Sequence, residues 1–424
     1  MTNLPPRSGD GRPVLSRRAA LLLAAGGLAQ LSLPLLRADA RPAAAAAPGA
    51  APLRPVVEDL LARRAQALIG LDRAALAAGT APAAQPDQQA ALDRLAQVPF
   101  AALAYRLTGF TEPPPEADRI TVTAELDHRL TGLDDHPATL TRRLALVRLA
   151  DGWRLAEDGP VGAPALWDLG TVRAVRGAHC LVLGLAEQDR VAELAARADR
   201  AVPDVDAVWG DAWAGRLLLE LPATEVDFAR VLDVAPEAYQ GIAAVTVAAA
   251  GAPEHTPADR IVVNPEAYRG LSELGRRVVV THEATHVATR ADTHAWTPMW
   301  LSEGVADHTA YLGTGRTARQ IAPALAQDVA AGRVPTALPA DAAFTAGTER
   351  IGQAYELSWL ACEVLAREFG ERGLVGFYQD YGRTGRPASG ESPDAVLDRV
   401  LRGRLGIGAA DFTRLWTAEA ARLA

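Results

Sequence analysis

Residues 281–286 read Thr-His-Glu-Ala-Thr-His, and this H-E-x-x-H pattern restricts the fold more than any other part of the 424-residue chain. In a helix, side chains four apart project from one face about one turn apart, so His282 and His286 can take adjacent corners of one metal tetrahedron. Leu271, Leu274 and Val278 lead into the motif as an apolar stripe that continues through His282 and Thr285, which places the segment on a helix. Glu283 then points beside the metal position, where a carboxylate can take a proton from water. Zn2+ is the ion that this donor set suits, although other divalent ions take similar ligands.

A catalytic zinc takes three protein ligands and keeps one position open. Two acids can supply the third. Glu303 lies in Pro298-Met299-Trp300-Leu301-Ser302-Glu303-Gly304-Val305-Ala306-Asp307, where Pro298 can open a helix and the acid falls in its first two turns. Asp292 is the alternative metal ligand, six residues after His286. Asp307, four residues past Glu303 on the same helical face, can accept the Nδ1 proton of His282 and so orient that ring. His308, its neighbour, reads as a surface histidine and is not assigned to the metal.

The segment Trp300-Leu301-Ser302-Glu303-Gly304-Val305-Ala306, following the H-E-x-x-H helix, resembles the second metal-binding helix of the gluzincin clan, whose pattern is W-L-x-E-G-x-A. The resemblance covers roughly residues 260–370. It implies a zincin-like metallopeptidase domain, a mixed sheet plus an active-site helix followed by a helical half, with Glu303 as third ligand and Asp307 behind His282. The sixteen residues between His286 and Glu303 are slightly fewer than in thermolysin-like enzymes, a difference a shorter connecting loop absorbs. Asp292 sits where the metzincin pattern places its third ligand and where snapalysin-like enzymes place an Asp. That pattern needs a Gly where this chain has Thr289, and Met299 is too near for a Met-turn. Tyr355 falls in a later helix similar to the one that supplies a catalytic Tyr in gluzincin aminopeptidases, which implies an oxyanion donor. Tyr311 and His294 are weaker candidates. No G-x-M-E-N segment occurs, so the resemblance implies an endopeptidase acting on a peptide or protein substrate. A zincin fold that keeps its metal only to bind peptide or cell-envelope material is the competing reading.

Pattern divides the chain further. Residues 41–55 are rich in Pro and Ala, lack apolar periodicity and read as a linker. Over 56–165, helical spacing at Val57, Leu60, Leu61, Ala65 and Leu68 and a second helix near 88–97 precede strands at 120–130 and 140–149. Asp151-Gly152 joins the last of these to Trp153-Arg154-Leu155 as a hairpin. That order describes a small α+β domain and is similar to the cystatin-like cone of nuclear-transport-factor-like and SnoaL-like domains. Such a domain can be structural or can occlude a cleft as a pro-domain. No site is assigned to it: His128, His136, His179 and His255 have no partner spacing. From 166 to 424, strands at 178–185, 216–221, 242–248 and 260–264 alternate with helices at 188–200 and 223–232, and helices follow from about 271. Residues 260–264 read as an edge strand along which an extended peptide could pair.

The first forty residues read as a signal peptide: Arg7, Arg12, Arg17 and Arg18 precede an apolar stretch at 19–36, and Ala38-Asp39-Ala40 fits a cleavage site. Ser16-Arg17-Arg18 resembles the start of a twin-arginine signal, which implies export of a folded, secreted protein. An uncleaved segment would instead anchor the chain, the one route to a membrane. The formal net charge of -8 argues against a nucleic-acid partner. Cys180 and Cys362 are compatible with one disulfide or with two buried thiols.

Overall fold

Ile120, Val122, Ala124, Leu126, His128 and Leu130 are all buried and alternate with more exposed neighbours, the period-two pattern of a strand with one face on a core. In the computed structural model, which describes residues 52–239, 241–248, 253–345, 348 and 350–424, they form the second strand of an antiparallel meander. The export segment at 1–40 and the linker as far as residue 51 lie outside the described residues. Helices α1 (Arg54–Ile69), α2 (Arg73–Ala78) and α3 (Gln85–Leu95) precede this sheet. The first begins inside the stretch read as linker because Pro55 sits in its opening turn, where a missing N–H costs nothing. The sheet is β1 (Phe100–Gly109), β2 (Arg119–Leu130), β3 (Ala138–Leu149) and β4 (Gly152–Pro160), paired in chain order. Strand β1 is absent from the sequence reading: its alanines give almost no alternation.

After α4 (Leu166–Leu169), a second sheet takes β5 (Arg173–Arg176), β6 (Cys180–Gly184), β7 (Leu217–Leu221), β8 (Ala244–Val247) and β9 (Arg260–Val263), in the order β5-β6-β7-β9-β8. Helices α5 (Gln188–Trp209) and α6 (Glu225–Val231) connect its strands. The order corrects one expectation: β9 lies inside the sheet, parallel to β7, and the edge strand is β8, antiparallel to β9. Both faces of this sheet are covered, which is why β6 reads as an apolar run and β7 departs from one only at Glu220, which pairs with Arg260. Val182, Leu219 and Ile261 face one core with α5 and the later helices, whereas Leu183, Leu218 and Val262 face a second core shared with Leu68, Leu126 and Trp167.

The helical half comprises α7 (Pro265–Arg269), α8 (Glu273–Thr289), α9 (Met299–Tyr311), α10 (Ala318–Ile321), α11 (Pro323–Ala330), α12 (Ile351–Phe369), α13 (Glu371–Thr384), α14 (Pro393–Leu405) and α15 (Ala409–Ala421). Among the described residues, no helix is long and apolar enough to cross a membrane. Cys180 and Cys362 are buried free thiols, so the disulfide alternative does not apply.

A buried ionic chain ties α1 and the first sheet to α4. Asp158 accepts from Arg64 Nη2 at 2.9 Å, Arg142 Nε at 2.8 Å and the Tyr105 hydroxyl at 3.0 Å, and Arg142 Nη1 reaches both oxygens of Asp168. Burial pushes the Asp158 carboxyl up, but Arg64 and Arg142 outweigh it and hold the group below its usual value. Replacing Arg142 with Leu leaves Asp168 without its guanidinium and Asp158 with Arg64 and Tyr105 alone, and we expect it to cost about 3 kcal/mol, the lower end for breaking a buried pair. Urea unfolding followed by tryptophan fluorescence checks this; a loss below about 1 kcal/mol would show that the carboxylates find water or neutralise.

Candidate metal centre

Helix α8 starts at Ser272, whose hydroxyl accepts from Gly275 N at 3.1 Å. Its middle, Val278-Val279-Val280, is β-branched and a poor intrinsic helix former; its burial against α5 and the second sheet supplies what propensity does not. That packing carries His282 and His286 into the interior on successive turns. Helix α9 follows Pro298, and Asp341 Oδ1 accepts from Met299 N at 2.9 Å, so a distant segment caps its free N-terminus.

Residues 300–310 of α9 are all buried. Such a helix needs close neighbours on every side, and Gly304 shows how close. A Cβ there would lie 2.5 Å from the Ser358 carbonyl oxygen and 2.6 Å from Cys362 Sγ, both on α12. Only glycine lets the two helices approach to this distance. Glu303, next to it, is thereby turned toward α8.

Among the described residues, His282, His286 and Glu303 form the set of three whose ligand atoms all lie within 4.8 Å of one another. The two Nε2 atoms are 2.9 Å apart, and Glu303 Oε2 lies 3.2 Å from one and 3.7 Å from the other. Zinc bonds of 2.0–2.1 Å in a tetrahedron imply ligand separations of about 3.3–3.4 Å, so the triangle has the size of a zinc face. The donor chemistry agrees. Both oxygens of Glu303 are buried without a hydrogen-bond partner, a cost that a cation would remove. Asp307 Oδ1 lies 2.9 Å from His282 Nδ1, so that nitrogen carries the proton and Nε2 is left to face the triangle. Burial alone would lower the His282 pKa, yet Asp307 and then Glu303 raise it to about 10. The potential at this point favours positive charge.

Glu283 is buried beside the triangle, and its Oε2 accepts from Thr246 Oγ1 at 2.5 Å. Burial raises its carboxyl pKa, against the pull of His282 and His286. Tyr355 approaches from α12, its ring 6.4 Å from that of His282. Its hydroxyl is buried without a hydrogen-bond partner, and burial with the charges of Glu303, Asp307 and Glu283 keeps it protonated, a neutral donor.

The other candidates sit elsewhere. Asp292 ends the turn Arg290–Asp292 and is not in the gathered set. His294 stacks on Trp296 at 4.6 Å, and Tyr311 is half-buried in the last turn of α9. His128 packs between Phe100 and Trp167, a core position where burial lowers its pKa to about 4. His308 corrects the surface reading: it is 2% exposed, with Nδ1 3.1 Å from Glu363 and Nε2 3.1 Å from Glu371. A ring with a carboxylate at each nitrogen is an imidazolium, and the two acids raise its pKa to about 9 against the effect of burial. Because the folded value lies above the unfolded one, this stabilisation is complete below about pH 6.5 and fades as pH rises through about 9. We therefore expect His308→Gln to lower stability by about 2 kcal/mol at pH 6, a figure reduced for the part-exposed glutamates. The gap to the parent should close in denaturant titrations above about pH 9; a gap independent of pH would remove the charge from the explanation.

Thr246 escapes sequence reasoning because it belongs to no motif and its partner is 37 residues away; Gly304 stands in the W-L-x-E-G-x-A segment, but its packing against α12 could not be read there because Ser358 and Cys362 lie far along the chain.

No protein-family model matches the chain, and a search of curated proteins finds no match. Among solved structures, the chain is similar to a two-domain M1 zinc metallopeptidase, a point variant bound to L-arginine, at 16% identity, over 75% of this chain and 69% of that one, with a TM-score of 0.33. It is similar also to an M1 zinc metallopeptidase variant from Deinococcus radiodurans bound to a Tyr-Ser-Ala substrate, at 18% identity, the same coverage and a TM-score of 0.33. The M1 zinc metallopeptidase from Deinococcus radiodurans gives 19% identity, again over 75% of this chain and 69% of that one, with a TM-score of 0.31.

Proposed function

We propose that the chain is a zinc metallopeptidase of the gluzincin type that hydrolyses peptide bonds, with His282, His286 and Glu303 holding the ion and Glu283 as general base. The observation that carries this reading is the buried triangle of donors, with both Glu303 oxygens unpartnered, beside a carboxylate that is not part of it. When bound, zinc would supply Lewis acidity toward a water and toward a carbonyl oxygen.

The chain's own residues account for the rest. Asp307 fixes the His282 ring. Glu283, whose burial raises its proton affinity, takes a proton from the attacking water and returns it to the leaving amine. Tyr355, protonated and unpartnered, donates to the oxygen on which charge develops. An extended substrate pairs along the edge strand β8 rather than β9. Strand β8 and the residues flanking it, Ala243-Ala244-Val245-Thr246-Val247-Ala248, carry no acid to hold a free amino terminus, which favours endopeptidase action. With the export segment, the reading places this activity outside the cytoplasm.

The test is to purify the chain, measure zinc by plasma mass spectrometry, and assay hydrolysis of an unfolded protein. Hydrolysis lost to a chelator and restored by zinc is expected. Bound zinc without hydrolysis would make the chain a binding module, and absence of bound metal would sink the metallopeptidase reading.

A further inference from the structure

Strand β8 bonds to β9 on one side and ends the sheet on the other. Asn264 N donates to Ala243 O at 2.9 Å, so the carbonyl of Ala243 faces β9. Alternation along the strand then turns the main-chain groups of Ala244 and Thr246 toward the side on which, among the described residues, no strand pairs with β8. The Thr246 side chain leaves the strand in another direction. It is buried against α8, where Oγ1 donates to Glu283 Oε2 at 2.5 Å and lies 3.4 Å from the Glu283 carbonyl oxygen.

One residue therefore carries main-chain groups at the unpaired edge of the sheet and a hydroxyl on the carboxylate beside the donor triangle. We propose that Thr246 is a positioning residue for hydrolysis: its hydroxyl sets the plane of the Glu283 carboxylate relative to the strand along which the substrate lies. The proposal rests on the peptidase reading of the site. Three features suit the role. A glutamate on a helix has three side-chain torsions to restrain, and one directional donor restrains the last of them. A threonine is stiff at χ1, so the anchor does not swing. The anchor stands on the strand itself, so carboxylate and substrate share one frame; misplacement of a reacting group by about 1 Å is enough to lower a rate about 100-fold.

The experiment compares the full chain, loaded with zinc, with Thr246→Val, Thr246→Ser and Glu283→Gln, recording zinc content, melting temperature, kcat and KM on one peptide. Valine keeps shape and main chain and removes the hydroxyl. We expect Thr246→Val to keep about one zinc per chain and a KM within about 2-fold, because the main-chain groups at the edge are untouched, while kcat falls about 10- to 100-fold. Thr246→Ser, which keeps the hydroxyl, should return kcat to within about 3-fold of the parent. An unchanged kcat in Thr246→Val overturns the proposal, as does a loss that serine fails to restore or that KM shares equally. If parent and Glu283→Gln hydrolyse the peptide alike, the peptidase reading itself is wrong, whatever Thr246 does.

Discussion

Glu283→Gln is expected to keep its metal and to lose peptide hydrolysis by about 10²- to 10⁴-fold in kcat. The amide has the volume of the acid and can still meet the Thr246 hydroxyl, so the packing around α8 is unchanged. What disappears is the group able to take a proton. Glu283 contributes no atom to the triangle of donors, so zinc content should stay at that of the parent. The two readouts therefore move independently: a variant that loses zinc as well would place Glu283 among the ligands, and one that retains full activity would remove it from the reaction.

Glu303→Ala should show the complementary result, loss of the metal itself. Removing even an outer-shell partner of a metal ligand typically weakens binding 10- to 100-fold, so deleting a ligand with two otherwise unsatisfied oxygens should exceed about 100-fold. The effect extends to stability. A ligand present at 100 times its dissociation constant adds about 2.7 kcal/mol to the folded state, so zinc should raise the melting temperature of the parent and leave Glu303→Ala where it is. Asp292→Ala, altered outside the gathered set, should bind zinc like the parent. Zinc lost from Asp292→Ala and kept by Glu303→Ala would reverse the assignment.

The residues gathered at the centre were readable because the relations among them are short and periodic. His282 and His286 are four apart, as are Glu303 and Asp307, and the helical repeat turns each spacing into a shared face. The mixed α+β class was legible for a similar reason, since apolar periods of two and of 3.6 follow one another along the chain. What was hidden depends on long-range pairing. Residues 260–264 look like an edge strand in sequence, but the order of a sheet is decided by which strands meet, and β8 takes the outer place. His308 reads as polar surface because its two carboxylates come from residues 55 and 63 positions later. Strand β1 was missed because Phe100-Ala101-Ala102-Leu103-Ala104 gives too little contrast between its faces.

The contact at Gly304 has a consequence for which ions the centre can accept. The opening between α8 and α9 is backed by main chain against main chain at α12, a contact that no rotamer change can widen. Calcium asks for six to eight oxygens at 2.3–2.6 Å, and magnesium for six in a near-perfect octahedron. Two imidazoles and one carboxylate supply fewer oxygen donors than either asks for, and the wall behind them does not yield to admit more side chains. Selection by coordination number thus rests in part on a residue that has no side chain.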